Sequence, residues 1–156
     1  VAEPAEAETV ARLLVELRDH NGRDWPSENA FLASVEDLIE QRHTEFLLGT
    51  PHDDAPPAGV CQLRYRHSVW MAAEDCWLED LFVRAGARRV GLGSALVRTA
   101  LGRGRERGCR RVELDASEDN VAALALYRKA GFSERSKRSE GEGRDLLLGI
   151  RLPEAG

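Results

Sequence analysis

Between Glu8 and His20 the apolar residues Val10, Leu13, Leu14 and Leu17 recur at spacings of three and four, which puts them on one face of a helix. Asn21-Gly22 ends that helix. Past Trp25-Pro26, Ser27 or Asn29 is placed to cap a second helix carrying Phe31, Leu32, Val35, Leu38 and Ile39. The period then shortens. Glu45 to Gly49 is a brief apolar run, 53–57 is a polar, proline-rich loop, and Gly59 to Tyr65 reads as a strand through Val60, Leu63 and Tyr65. His67 to Ala73 is a hairpin connection or a continuation of that strand. Cys76 to Val83 alternates, with Cys76, Leu78, Asp80 and Phe82 predicted on one face and Trp77, Glu79, Leu81 and Val83 on the other. Gly91 to Arg107 is a helix with a stripe of Leu92, Leu96, Ala100 and Leu101, stopped by Gly108. Arg111 to Asp115 is a strand, and Val121 to Ala130 a helix with Gly131 at the position after its end that favours positive φ. A strand from Phe132, a polar hairpin through 139–143 and a final strand from Arg144 to Arg151 complete the pattern. The predicted order is α-α-β-β-β-α-β-α-β-β, an α/β (α+β) chain with no internal repeat and no linker.

At 156 residues this pattern makes one domain, 1–156, too short for two of ordinary size. The chain opens on Val1 and its one methionine is Met71, so residues are expected to precede it and a first strand to be clipped. With 42% apolar and 31% charged residues, no apolar run near the ~18 residues of a membrane span and no leader, the expected setting is cytoplasmic, with no membrane partner. Cys61, Cys76 and Cys109 are odd in number and lack C-x-x-C spacing, so reduced thiols are expected rather than disulfides or a zinc site; no metal is predicted. The net charge of −5 is divided unevenly, −11 over residues 1–80 and +6 over residues 81–156. One half suits a cation and the other an anion. Arginine in place of lysine follows from composition, but nine arginines between Arg84 and Arg111, with Glu106 the one acid among them, ask for a further reason.

That reason is sought in Arg88-Arg89-Val90-Gly91-Leu92-Gly93, an R-x-x-G-x-G turn between a strand and a helix. Glycines at 91 and 93 leave no β-carbons in the way, so backbone N–H groups at the helix start can close on phosphate oxygens, aided by the helix dipole. A dinucleotide fingerprint would need a third glycine where Leu96 stands, although Asp115 is well placed for a ribose. A P-loop would need G-K-[ST], which is absent. The turn also comes after two helices and about three strands, whereas a dinucleotide-binding domain usually opens with it.

A second block runs Asn120-Val121-Ala122-Ala123-Leu124-Ala125-Leu126-Tyr127-Arg128-Lys129-Ala130-Gly131-Phe132. Together the two blocks resemble the GNAT superfamily of acetyl-CoA-dependent N-acetyltransferases, with its [QR]-x-x-G-x-[GA] and N-x-x-A-x-x-L-Y-x-K-x-G-F motifs. The resemblance covers Cys76 to Phe132 in detail and the remainder through element order. Trp77-Leu78-Glu79-Asp80-Leu81-Phe82-Val83 looks most like the spermidine/spermine branch, where a similar L-E-D stretch precedes the pyrophosphate loop.

The resemblance implies a mainly antiparallel, twisted sheet that splays at the strand binding acetyl-CoA. Arg88, Arg89, Val90, Gly91, Leu92, Gly93 and Ser94 would hold the pyrophosphate, Arg98 or Arg128 the adenosine phosphates, and the backbone of Leu81, Phe82 and Val83 the pantetheine arm, one N–H near Leu81 or Val83 polarising the thioester. Asn120 would cap its helix, with a contact to the same arm as a second role. Tyr127, two turns after Asn120 on one helix face, would protonate or hydrogen-bond the departing thiolate. A thiol near ~8.5 is a stronger acid than a phenol near ~10, so full transfer is uphill by about 2 kcal/mol unless the site shifts one of them. An alkylamine near ~10.4 is mostly protonated at neutral pH and needs a base. Glu79 is the leading base, with His67, His43, Glu74 and Asp75 as weaker alternatives; alternation lets only one of Glu79 and Asp80 face the cleft. A covalent route through Cys76 lacks His/Asp spacing in support. The expected activity is direct transfer of acetyl to a small polyamine or other cationic amine. A protein N-terminus or lysine is the second acceptor class, and a non-catalytic CoA sensor and a dinucleotide-binding protein are the competing functions. No nucleic-acid partner is required, and the resemblance favours a homodimer.

Overall fold

The computed structural model describes residues 1–134 and 150–151. Two helices lead, α1 (Ala7–His20) and α2 (Glu28–Ile39), followed by strands β1 (Thr44–Gly49), β2 (Gly59–Ser68) and β3 (Ala73–Val83). Helix α3 (Leu92–Glu106), the short strand β4 (Arg111–Glu113) and helix α4 (Val121–Lys129) complete the described order. The two strands and the hairpin predicted from Phe132 onward fall almost wholly outside the described residues. The four strands form one sheet in the order β1-β2-β3-β4; β1-β2 and β2-β3 are antiparallel, while β3-β4 is parallel across the α3 crossover.

Ser27 caps α2, its hydroxyl accepting from the Ala30 N–H at 3.2 Å. Helices α1 and α2 bury Val10, Leu13 and Val35 against Phe46, Val60 and Phe82 on one sheet face. Helix α3 covers the opposite face, Leu96 and Ala100 packing on Leu47, Cys61, Leu63, Tyr65, Cys76 and Leu78. The C-terminal end of α3 is fastened by charge as well. Glu45, its side chain 10% exposed, takes the Arg103 guanidinium at 2.6 and 3.0 Å and the Tyr65 hydroxyl at 2.9 Å. Burial pushes the Glu45 carboxyl up, but those hydrogen bonds and the charges of Arg103 and Arg107 outweigh it and hold the group below its ordinary range.

Two expectations about β3 need correction. The strand starts at Ala73 rather than Cys76, while His67 and Ser68 continue β2, one of the two readings of that segment, so the paired ladder is longer than the apolar pattern suggested. More consequentially, the alternation does not run unbroken. Val60 pairs with Phe82 but Gln62 pairs with Glu79, so Asp80 and Leu81 together oppose Cys61 in a β-bulge, with Asp80 at φ 55°. The extra residue reverses the faces. Cys76 and Leu78 share the α3 side with Leu81 and Val83, whereas Phe82 turns into the core beneath α1.

Candidate active site

Strand β4 stays with β3 for only three pairs, Asp75 with Arg111, Cys76 with Val112 and Trp77 with Glu113. Beyond Trp77 the outer edge of β3 has no strand partner among the described residues, and the sheet opens there. Antiparallel pairing directs successive backbone groups to alternate edges. Because the Arg84 N–H bonds Ala58 C=O at 2.9 Å on the β2 side, Val83 presents its own N–H and C=O to the open edge. The Arg88 Nε donates to that Val83 carbonyl at 3.0 Å, so the Arg88 side chain braces the loop from behind.

The loop leads into α3 with two left-handed residues, Arg89 at φ 69° and Gly91 at φ 79°. Gly91 is the N-cap of α3 and no side chain caps the helix. The first intrahelical bond is from Ala95 N–H to Gly91 C=O at 3.0 Å, and the N–H groups of Arg89, Val90, Gly91, Leu92, Gly93 and Ser94 find no acceptor among the described residues. Six successive uncommitted donors at a helix start form an anion cradle. The two glycines serve it differently. A β-carbon on Gly91 would meet nothing within 4 Å, so this position is required by its φ, whereas one on Gly93 would lie 3.3 Å from Leu126 Cδ2, so Gly93 lets α4 pack close to the cradle.

Helix α4 starts as expected: Asn120 Oδ1 accepts from the Ala123 N–H at 3.2 Å. Two turns on, Tyr127 is 8% exposed and its ring meets Phe132 edge-on at 5.9 Å. Burial first, then negative charge including that of Asp115, pushes its phenol above the ordinary value, so the hydroxyl keeps its proton. Arg128 pairs with Glu134 at 3.0 Å, and Arg98 is exposed on α3.

Helices α1 and α2 cover only part of their sheet face. The uncovered part is a groove of about 1050 Å³ whose lining includes Gln62, Arg64, Trp77 and Glu79, and it reaches through the opening between β3 and β4 to Asp80, Asp115 and Tyr127. The bulge thus places both Glu79 and Asp80 in the groove, correcting the expectation that only one could face it. Arg64 holds Glu79 at 3.2 Å. Asp80 keeps contact with solvent, yet the crowding of the groove wall, and secondarily Asp115, raises its carboxyl above the ordinary range, with Arg64 partly offsetting them. Of the other acid–base candidates, Glu74 turns to the α3 side and meets Arg107 at 3.1 Å, His43 lies 3.8 Å from Glu74, and His67 is exposed on the hairpin. Cys76 is buried and its thiol is pushed up to about 12, chiefly by burial, which leaves it un-ionised and unreactive at neutral pH.

The arrangement therefore combines a helix start with uncommitted donors packed against α4, an open strand edge, and a polar groove that reaches Tyr127 on the same α4. A family model described as the acetyltransferase (GNAT) family matches residues 12–132. The chain belongs to the GNAT acetyltransferase family. It is an acyltransferase of the N-acetyltransferase kind. Similar curated proteins include mycothiol acetyltransferase of Beutenbergia cavernae, 36% identical over 64% of this chain and 34% of that protein. The aminoglycoside N(6')-acetyltransferase type 1 of Salmonella typhimurium is 24% identical over 72% and 80%, and the thialysine N-epsilon-acetyltransferase of Caenorhabditis elegans 33% identical over 54% and 52%. The chain thus spans about a third of the mycothiol enzyme and half of the thialysine enzyme. Among solved structures, a probable acetyltransferase superposes with a TM-score of 0.84 at 23% identity, covering 96% of this chain and 95% of that one. A chain from Arthrobacter sp. FB24 assigned as an acetyltransferase gives 0.81 at 28% identity, covering 97% and 93%. The mixed, mainly antiparallel sheet expected from the sequence is therefore the fold of this GNAT protein.

Several groove residues of the GNAT chain were not singled out by motif. Gln62, Arg64 and Arg66 alternate with Cys61, Leu63 and Tyr65 along β2, so a polar stripe at period two was present in the sequence. Read with Trp77, Glu79 and Glu113, that stripe is the groove floor.

Proposed function

We propose that this chain transfers acetyl from acetyl-CoA to the amino group of a small cationic molecule, by direct attack with both substrates bound. The observation that carries the reading is the row of six uncommitted N–H groups, Arg89 to Ser94, at a helix start packed against the helix that bears Tyr127. These donors suit a pyrophosphate, with Arg89 and Arg98 adding charge and Arg128 available if it leaves Glu134. The open edge of β3 at Leu81 and Val83 suits an extended amide-bearing arm, whereas Phe82, paired with Val60, turns its backbone groups to β2 and its ring into the core. Asn120 acts as the cap of α4. Acetyl-CoA, when bound, supplies the activated acyl group.

The amine nitrogen attacks the thioester carbonyl carbon, the C–N bond forms and the C–S bond breaks. Glu79 takes the ammonium proton, directly or through water, giving up part of its contact with Arg64 as the cation arrives. Tyr127 donates its hydroxyl hydrogen to the departing sulfur, and the second proton that the nitrogen sheds as the amide forms restores the phenol through water. Burial makes the phenol a weaker acid, but it disfavours the sulfur anion at the same place too, so the ~2 kcal/mol deficit of solution need not grow. The acidic lining favours a cationic acceptor; the relatives named for aminoglycoside and thialysine act on amines, and the L-E-D stretch supports a polyamine-type acceptor within that class.

Release of free CoA in the presence of a panel of amines tests the reading. Tyr127→Phe is expected to lower kcat by about a hundredfold, the usual scale of a lost general acid, with acetyl-CoA affinity unchanged by calorimetry. Failure of the wild-type protein to bind acetyl-CoA below millimolar concentration would sink the proposal.

A further inference from the structure

One carboxylate in the groove is left partly unused by the fold. Asp75 lies on β3 two residues before Trp77 and four before Glu79, and all three line the groove. Its side chain is 5% exposed, and Oδ2 accepts from the Arg111 guanidinium at 2.8 Å. The other oxygen, Oδ1, is buried and has no hydrogen-bond donor among the described residues. Such oxygens are uncommon in folded proteins and ask for an explanation. The neighbours do not supply one. Arg66, the cross-strand partner of Asp75, makes no ion pair with it, and Arg111 Nε is itself without an acceptor, 3.5 Å from Glu113. Arg111 is shared between Asp75 and Glu113, which leaves the three with one negative charge in excess.

An ionised carboxylate oxygen only accepts, so whatever completes Oδ1 brings an N–H or O–H, and the excess charge selects a cation. Position says which cation. Side chains two apart on a strand share a face at a rise of about 3.4 Å per residue, so Asp75 stands about 13 Å from Glu79 with Trp77 midway. The apolar surface of Trp77 between two carboxylates suits a chain of methylenes or a ring carrying ammonium groups at its ends.

We propose that Asp75 is a specificity residue that receives a second ammonium group of the acceptor, so that the preferred substrate is an extended diamine whose far end lies on Asp75 while the near end is acetylated. This rests on the acetyl transfer proposed above, occurring in the same groove, and adds to it a length requirement.

The test measures KM for a series of straight α,ω-diamines, from butane to dodecane, against n-alkylamines of equal length. Diamines long enough to reach about 13 Å are expected to show a KM at least tenfold below their monoamine counterparts, and shorter ones no such gain. In Asp75→Asn the dip at the matching length is expected to disappear. Should that variant fail to fold, the wild-type length profile decides alone. Diamine values that follow the monoamines at every length, or a dip that survives in Asp75→Asn, would overturn the proposal. Acetylation of amines with a flat profile removes only the role of Asp75; no acetylation of any amine removes the activity beneath it.

Discussion

Asp80 carries two burdens that its neighbour Glu79 does not: a left-handed backbone at φ 55° and a carboxyl whose ionised form the groove disfavours. Aspartate and asparagine tolerate that backbone better than most side chains. A carboxyl raised in the folded state contributes stability that is fully present below its unfolded value, about 3.9, and lost as pH rises through the folded value. Asparagine keeps the shape and removes the ionisation. Asp80→Asn is therefore expected to melt higher than the wild type at neutral pH, with the gap closing in acid below the ordinary carboxylate range. Thermal melts of the two proteins across pH check this; an equal or lower neutral Tm for the variant would show that the groove does not disfavour the charge. The two acids were legible in the sequence as a pair next to the phosphate loop. Their joint presence in one groove was not, because alternation is read on the assumption of an unbroken ladder, and a bulge inserts one residue without any marker in composition.

At the scale of elements, Gly91 is where the turn depends most on one residue. Its φ of 79° as the N-cap of α3 leaves the following N–H groups pointing outward, and a β-carbon there would touch nothing. Gly91→Ala thus isolates the conformational cost, about 1 kcal/mol of stability by denaturation. It also turns the cradle, and loss of one charge-assisted hydrogen bond is expected to weaken acetyl-CoA binding roughly tenfold by calorimetry. Gly93→Ala meets the flexible end of Leu126 at 3.3 Å and Val83 Cγ2 at an ordinary 3.9 Å, and should cost less. The motif around these glycines was readable, as were both leading helices: of the residues that the spacing picked out, Val10, Leu13, Leu14 and Val35 are buried and Leu17, Phe31, Leu32, Leu38 and Ile39 pack partly buried against the same core. Strand lengths were read less well, for physical reasons. Arg66, His67 and Ser68 extend β2 into a hairpin that no helix covers, so no apolar alternation marks them. The alternation of Val112 and Leu114 carries past Glu113, where β4 parts from β3, since alternation reports which face is buried and not whether a neighbour remains within hydrogen-bonding reach.

The whole molecule uses its uneven charge in a way that the sequence order conceals. Four of the nine arginines between Arg84 and Arg111 reach across to the acidic half, Arg84 to Glu16, Arg103 to Glu45, Arg107 to Glu74 and Arg111 to Asp75. Much of the positive half therefore holds the fold together, and the cradle relies chiefly on backbone donors at short range. The negative half keeps a remainder: Asp75, Glu79, Asp80, Glu113 and Asp115 line the groove against Arg64 and Arg66, with Arg111 shared between Asp75 and Glu113. A field of that kind acts over the length of the groove and is open to salt, since the screening length falls from about 10 Å at 0.1 M to about 3 Å at 1 M. Raising sodium chloride over that range is expected to increase KM for a dicationic acceptor several-fold while KM for acetyl-CoA changes less. Initial rates with each substrate varied in turn separate the two. A KM for the acceptor that ignores salt would mean that Arg64 and Arg66 already cancel the groove acids, and that the −11 of the first half acts on the fold rather than on the substrate.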